Sequence, residues 1–203
     1  AALSSFKIAF GVVFFSVLVG VPIGMVSGLA SKRTDEIIMR ITDGFLAFPP
    51  LILPLAITAI LGPSLNNVVL GISISWFPWY VRIARSQSLI ISSLDYVSIS
   101  KSMGANKFHI IKHHILPNSL SPILTQASID AGYAILASAG LSFIGLGAQY
   151  PDVEWGLLIT QSRAQFLNNW WEVFFPGIFI CLTVASFNVL GDEIRNNNKT
   201  NNE

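Results

Sequence analysis

The sequence predicts an all-α fold, a polytopic bundle of membrane-crossing helices, and three observations predict it. Of the 203 residues, 52% are hydrophobic and only 11% are charged, whereas a water-facing domain uses about 25% charged residues. The apolar residues gather in five runs that reach or approach the roughly 20 residues a helix needs to cross a bilayer. Lysine and arginine, finally, crowd some connections between the runs and are nearly absent from others, the asymmetry that orients a membrane protein. A mean hydropathy of +0.61 agrees. With a formal net charge of +1 there is no basic face to neutralise phosphates, so no nucleic-acid partner is expected.

The first run, residues 6–30, exceeds the ~7–15 residue core of a secretory signal and has no basic region ahead of it, so it reads as a true span. Within it Gly20, Gly24 and Gly28 recur every four residues, a stripe on one helix face that would let a second helix approach closely; the alternative is that lipid merely tolerates glycine there. The second run, 45–61, is short and broken by Pro49, Pro50 and Pro54. The third, 67–81, carries Trp76, Phe77, Trp79 and Tyr80 near its end, as an interfacial aromatic belt would. The fourth is 120–146 and the fifth 173–190, with Trp170 and Trp171 at its start. The one cysteine, Cys181, has no partner for a disulfide or a Cys-rich metal site and reads as inert packing.

The connection after the first span holds Lys32, Arg33 and Arg40, and residues 82–118 hold Arg82, Arg85, Lys101, Lys107 and Lys112. Residues 62–67 are uncharged, and 147–172 carry only Arg163 against Asp152, Glu154 and Glu172. The two basic connections are therefore expected in the cytoplasm, together with the tail after Leu190. That places the N-terminus outside, so a further span upstream is expected, six in a complete protein. The chain 1–203 reads as one transmembrane domain without internal repeats. In the external loop, 147–172, Trp155, Leu158, Ile159, Ser162 and Phe166 fall at helical spacing. This suggests a short helix along the membrane surface, capping a pathway, receiving an external partner, or only covering span ends.

The 82–118 connection is long and reads as helix, break, helix. Tyr96, Ile99 and Met103 line one face of the first helix; Gly104 supplies the stop; Phe108, Ile111 and Ile115 line the second, which is expected to end before Pro117. Apolar stripes beside basic and hydroxyl side chains have the character of a docking surface. From Asp95 to Pro117 the segment resembles the cytoplasmic loop of importer permeases of ATP-binding-cassette systems, with Gly104 and Leu116-Pro117 at the matching spacing. "HHILPN", "VGVPIGMVSGLA", "DEIIMRITDGFLAFPPLILPLA", "LSFIGLG" and "FNVLGDEIR" are similar to the dipeptide, oligopeptide and nickel branch of that family, in its order, over nearly the whole chain. Ser98-Ile99-Ser100 stands where that family shows Glu-Ala-Ala, with Asp95 one turn earlier.

The resemblance implies a type I permease fold that lacks the family's first span. It implies a permease subunit that pairs with a second homologous permease in membrane lipid and moves a peptide or nickel substrate delivered by an external solute-binding protein. Two ATPase subunits would bind the ATP and magnesium, this chain holding no cofactor and doing no bond chemistry. The residues implied to meet the ATPase are Asp95, Tyr96, Ser98, Ile99, Ser100, Met103, Gly104, Ala105, Phe108, Ile111, Leu116 and Pro117.

Other candidates are few. His109 and His113 are spaced to share a metal, yet no third ligand lies near in sequence and no metalloprotease glutamate is present; the alternative is two histidines on a docking helix. Asp130, deep in the fourth span, should face the interior or water. It either contacts substrate and couples to movement or makes a structural hydrogen bond, with Gln126 and Ser128 nearby; Ser138 and Ser142 read as helix-contact hydroxyls. No nucleophile elbow and no Gly-Lys-Ser/Thr phosphate loop appears, which argues against an enzyme and against self-contained use of ATP. The alternative function is an ion-coupled secondary transporter or channel acting without an ATPase, for which Asp130 is the one fitting residue; a structural scaffold would leave the patterned loop unexplained.

Overall fold

A computed structural model describes residues 1–200, with side chains through 196; residues 201–203, the end of the tail expected in the cytoplasm, lie outside the described residues. The helices are α1 (Ala2–Gly28), α2 (Lys32–Leu46), α3 (Ile52–Leu61), α4 (Leu65–Ser92), α5 (Asp95–Ser102), α6 (Lys107–Ile110), α7 (Leu116–Phe143), α8 (Trp155–Ser162) and α9 (Trp171–Thr200). Among the described residues there is no strand. α1 and α9 are each long and apolar enough to cross a membrane. α4 and α7 have 28 residues each, about 40 Å of helix at 1.5 Å per residue.

α1 and α4 form the closest crossing, and the glycine stripe makes it. A methyl at Gly20 would meet Tyr80 Cβ at 2.7 Å, one at Gly24 would meet Ala84 Cβ at 2.8 Å, and one at Gly28 would meet Ser88 Cβ at 2.5 Å. The core has three parts. One packs Ile8 and Val12 of α1 against Val68, Val69 and Ile72 of α4. A second gathers Met25, Tyr80, Ala84 and Ile91 around Val97, Ile110 and Ile115. The third joins Ala9, Ala131, Ile135, Trp155 and Ile180.

Several expectations are revised. The second span, 45–61, is not one helix: α2 ends at Leu46, and α3 resumes only at Ile52, because the consecutive Pro49 and Pro50 bar a continuous ladder. The third span runs on to Ser92, so Arg82 and Arg85 sit on α4 and not in a loop. The expected aromatic belt is split, since Tyr80 is fully buried, Trp76 packs against the core and only Trp79 is strongly exposed. Cys181 is exposed, not packed inside.

Pro117 does not end the second loop helix. α6 passes through a π-helical turn, Ile111–Ile115, directly into α7. A π turn opens the ladder where proline lacks its N–H and its ring would press on the preceding turn. Asn118 donates its side-chain amide to the His114 carbonyl at 2.6 Å, and Ser119 its hydroxyl to that of Ile115 at 2.7 Å.

α8 is not laid on a surface with its apolar face outward. Trp155 and Leu157 are buried, and Leu158 and Ile159 pack on the third core cluster; of the expected stripe only Phe166, beyond the helix, is well exposed. Glu154 fastens it. This fully buried side chain caps α8, accepting from the backbone N–H of Gly156 at 2.8 Å and Leu157 at 2.7 Å and from the Ser142 hydroxyl of α7 at 2.6 Å. Glu154→Ala strands three buried donors, which should cost about 2–3 kcal/mol. The expected result is a lower Tm with faster amide exchange confined to residues 155–162; unchanged exchange there would show that α8 is held by packing alone.

Candidate functional site

One surface and one half-buried cluster concentrate the candidate residues. The surface is built by α5, the break at Gly104, and α6. α5 begins at exposed Asp95 and ends at Ser102; Gly104 then takes φ +92°, a conformation that costs most L residues strain and glycine none. Asn106 starts α6 by accepting the His109 backbone N–H at 2.8 Å. The turn thereby sets α5 and α6 side by side, and the π turn continues them into α7.

Their apolar residues divide sharply. Val97, Ile110 and Ile115 are almost fully buried in the second core cluster and root the segment on α1 and α4. Tyr96, Ile99, Met103 and Phe108 point away from the bundle, Met103 with 84% and Phe108 with 72% of its surface exposed. Such large apolar side chains left open in one patch mark a surface that another molecule covers. Ser100, Met103, Gly104, Ala105, Asn106 and His109 line a depression of about 390 Å³ between them. The same segment carries exposed Lys101, Lys107 and Lys112.

The other predicted residues fall as follows. Ser98 and Ser100 are on α5, Ser98 turned out and Ser100 half-buried within 3.2 Å of His114 Nε2. Ala105 and Ile111 are partly buried against the core, and Leu116 and Pro117 are exposed at the start of α7. The expected stripe Phe108, Ile111, Ile115 is therefore corrected: only Phe108 faces out, because the π turn rotates Ile111 and Ile115 inward. Val97 and Ile110 went unread; Val97, set between Tyr96 and Ser98, carried a signal in the sequence. The His109 and His113 rings stack at 4.2 Å, with His113 Nδ1 3.1 Å from the His109 carbonyl. Among the described residues no group of three or more His, Cys, Asp and Glu could hold a metal.

The half-buried cluster surrounds Asp130 on α7. Tyr80 of α4 donates its hydroxyl to Asp130 Oδ2 at 2.7 Å, and Gln126 donates its amide to Oδ1 at 2.8 Å. Ser128 is not a partner; its hydroxyl goes to the Phe187 carbonyl of α9 at 2.6 Å. Tyr80, 50 residues away, was hidden from a linear reading. Ser142 holds Glu154, and the buried Ser138 hydroxyl meets no partner among the described residues.

A third polar contact ties α2 to the bundle. Arg85 of α4 grips Asp35 with two hydrogen bonds of 2.6 Å, and Ser27 donates to the same carboxyl at 2.6 Å. The bidentate guanidinium holds the Asp35 carboxyl below its ordinary value of 3.8. Its contribution to stability is complete above that ordinary value and disappears as pH falls through the lower, folded one. The Tm difference between wild type and Asp35→Asn should therefore be constant near neutrality and shrink below about pH 4; a difference that grew on acidification would contradict the pairing. Arg82 makes a second, exposed pair with Asp43 at 2.7 Å.

Residues 20–197 match the family model described as "Binding-protein-dependent transport system inner membrane component". A probable D,D-dipeptide transport system permease protein of Escherichia coli is 48% identical over 184 residues, 91% of this chain and 62% of that protein. A dipeptide transport system permease protein of Alkalihalophilus pseudofirmus is 41% identical over 94% of this chain and 63% of its own length. A glutathione transport system permease protein of Pectobacterium atrosepticum is 40% identical over 93% of this chain and 64% of its own. The chain thus spans less than two thirds of the length of these relatives. Among solved structures, an inward-facing conformation of the MetNI methionine ABC transporter superposes with a TM-score of 0.80 at 19% identity, over 96% of this chain and 93% of that one. An amino acid ABC transporter gives 0.65 at 18% identity, over 95% and 87%. Those likenesses are of fold.

Proposed function

Because the chain belongs to the family of binding-protein-dependent transport system inner membrane components, we propose that it is the permease subunit of an ATP-driven importer of di- and oligopeptides. Relatives named for dipeptide and glutathione transport support peptides over nickel. The single observation that carries the mechanism is the patch of Tyr96, Ile99, Met103 and Phe108, open on one side and rooted by Val97, Ile110 and Ile115 on the other.

A pair of cytoplasmic ATPases closing on ATP would seat this patch. Displacement of α5 and α6 would pass into α7 through an unbroken helical run and into α1 and α4 through the second core cluster. ATP and magnesium then belong to the partner chains, and this chain does no bond chemistry. A second homologous permease would complete the pathway, and an external solute-binding protein would deliver substrate on the side of the 147–172 connection. The basic connections and the C-terminal tail would face the cytoplasm. ATP biases which face is open only as far as the ATPases bind the two states differently.

The test is to co-express the chain with its ATPase and second permease, recover the ATPase by affinity from solubilised membranes, and reconstitute the product. Recovery of this chain with the ATPase and ATP-dependent uptake of dialanine are expected. Met103→Ser with Phe108→Ser, both on the open face, should abolish both without lowering the Tm of the chain. Uptake by this chain alone, driven by an ion gradient, would overturn the reading in favour of the ion-coupled transporter.

A further inference from the structure

α7 carries a second surface, independent of the docking patch. Its buried face packs Ser128, Ala131, Gly132, Ile135 and Ser138 toward the bundle. On the other face Gln126, Asp130 and Tyr133 follow one another at one-turn spacing; Gln126 and Asp130 are half-buried, and Tyr133 is 55% exposed. An amide, a carboxyl and a phenol left uncovered along a spanning helix are not a lipid-facing stripe, since lipid makes an ionisable group expensive. They require water or a polar ligand on that side.

The carboxyl is also held in position. Tyr80 fixes Oδ2 and Gln126 fixes Oδ1, so neither oxygen is free to turn, while each keeps a lone pair for a further donor. Both fixed donors are neutral. The cations of α4 that approach from the neighbouring element are already used, Arg82 on Asp43 and Arg85 on Asp35, and no Lys, Arg or His among the described residues pairs with Asp130. A preoriented carboxyl on a partly exposed polar stripe, without a countercharge from its own chain, is suited to a cation that arrives and leaves.

We propose that Asp130, positioned by Tyr80 and Gln126, is a transit site in the pathway for the ammonium group of the transported solute. The proposal rests on the transport reading above and adds the chemistry that the pathway recognises. It gives the Tyr80–Asp130 bond a second role besides joining α4 to α7: fixing the orientation of the carboxyl, with its remaining lone pairs open to the pathway.

The test uses the complete transporter complex in membranes, with Cys181→Ser and a reporter thiol from Tyr133→Cys, one turn from Asp130. Two methanethiosulfonate reagents of similar size, a trimethylammonium and a sulfonate, are compared, each normalised to its rate with a free thiol. The cationic reagent should react faster by roughly tenfold or more, as focused charge in a cleft produces. Asp130→Asn should bring the ratio to about one, and Asp130→Glu should retain it. ATP-dependent uptake of dialanine is measured on the same complexes without the reporter, and Asp130→Asn should reduce it. Failure of either reagent to reach the thiol would place the stripe against lipid or another chain and overturn the proposal. So would a ratio, or an uptake, indifferent to Asp130→Asn. Absence of uptake by the wild-type complex would instead sink the transport reading, a result the reagent ratio does not affect.

Discussion

Gly24→Leu should prevent α1 and α4 from assembling. The backbone of Gly24 lies so close to α4 that even one added carbon would fall 2.8 Å from Ala84 Cβ and 3.0 Å from the Arg85 nitrogen, both parts of a helix that cannot rotate away. A leucine adds three carbons more and must drive the helices apart. Separation would also break the contact of Met25 and Tyr80 with Val97 and Ile110, so the 95–117 segment loses its root. Overpacking typically costs about 1–3 kcal/mol, and a clash with the backbone of α4 places this substitution at the upper end of that range or above it. The expected outcome is loss of monodisperse protein after solubilisation, or a Tm too low to measure. Gly44→Ala, on the open face of α2 with nothing within 4 Å, is the matched control and should be neutral or slightly stabilising. A folded Gly24→Leu protein of ordinary Tm would show that the crossing is looser than described.

Gly104→Pro is expected to eliminate ATPase recovery while leaving the bundle intact. Proline holds φ near −65°, and Gly104 sits at +92°. The substitution also removes the N–H that Gly104 donates to the Lys101 carbonyl at 3.0 Å. α5 and α6 then cannot keep their angle, and Met103 and Phe108, which flank the break, no longer present one patch. Gly104 is exposed and a Cβ added there would meet nothing within 4 Å, so the defect stays local. Co-purification with the ATPase should fall by at least about tenfold, the effect of roughly 1.4 kcal/mol or more of lost binding, with the Tm of the chain unchanged. Gly104→Ala, which only strains the backbone, should fall between the two. Full recovery of the ATPase with Gly104→Pro would mean that the break does not organise the docking surface.

What sequence reading resolved and what it missed divide along a physical line. The helix–break–helix of the 95–117 segment was legible because its signals are local: Gly104 demands a special φ, and Asn106 caps its own helix. The glycine stripe was legible for the same reason, since spacing by four puts Gly20, Gly24 and Gly28 on one face whatever lies opposite. The end of that segment was misread because proline's usual effect is local too, and here a π turn absorbed it. Ile115, the last residue of that turn, is buried in the second core cluster, a tertiary contact that no local signal announces.

By itself, the sequence determined the all-α membrane class, the positions of most helices, the close-approach face of α1 and the helix–break–helix character of the 95–117 segment. Those follow from composition, period and the conformations open to single residues. Tertiary structure alone decided that Val97, Ile110 and Ile115 face inward while Met103 and Phe108 face out, that Tyr80 rather than Ser128 holds Asp130, and that Glu154 pins α8 to α7. Each of these depends on which helix stands opposite, and so on side chains far apart in the chain. A period of 3.6 says which residues share a face; only packing says which face is inside.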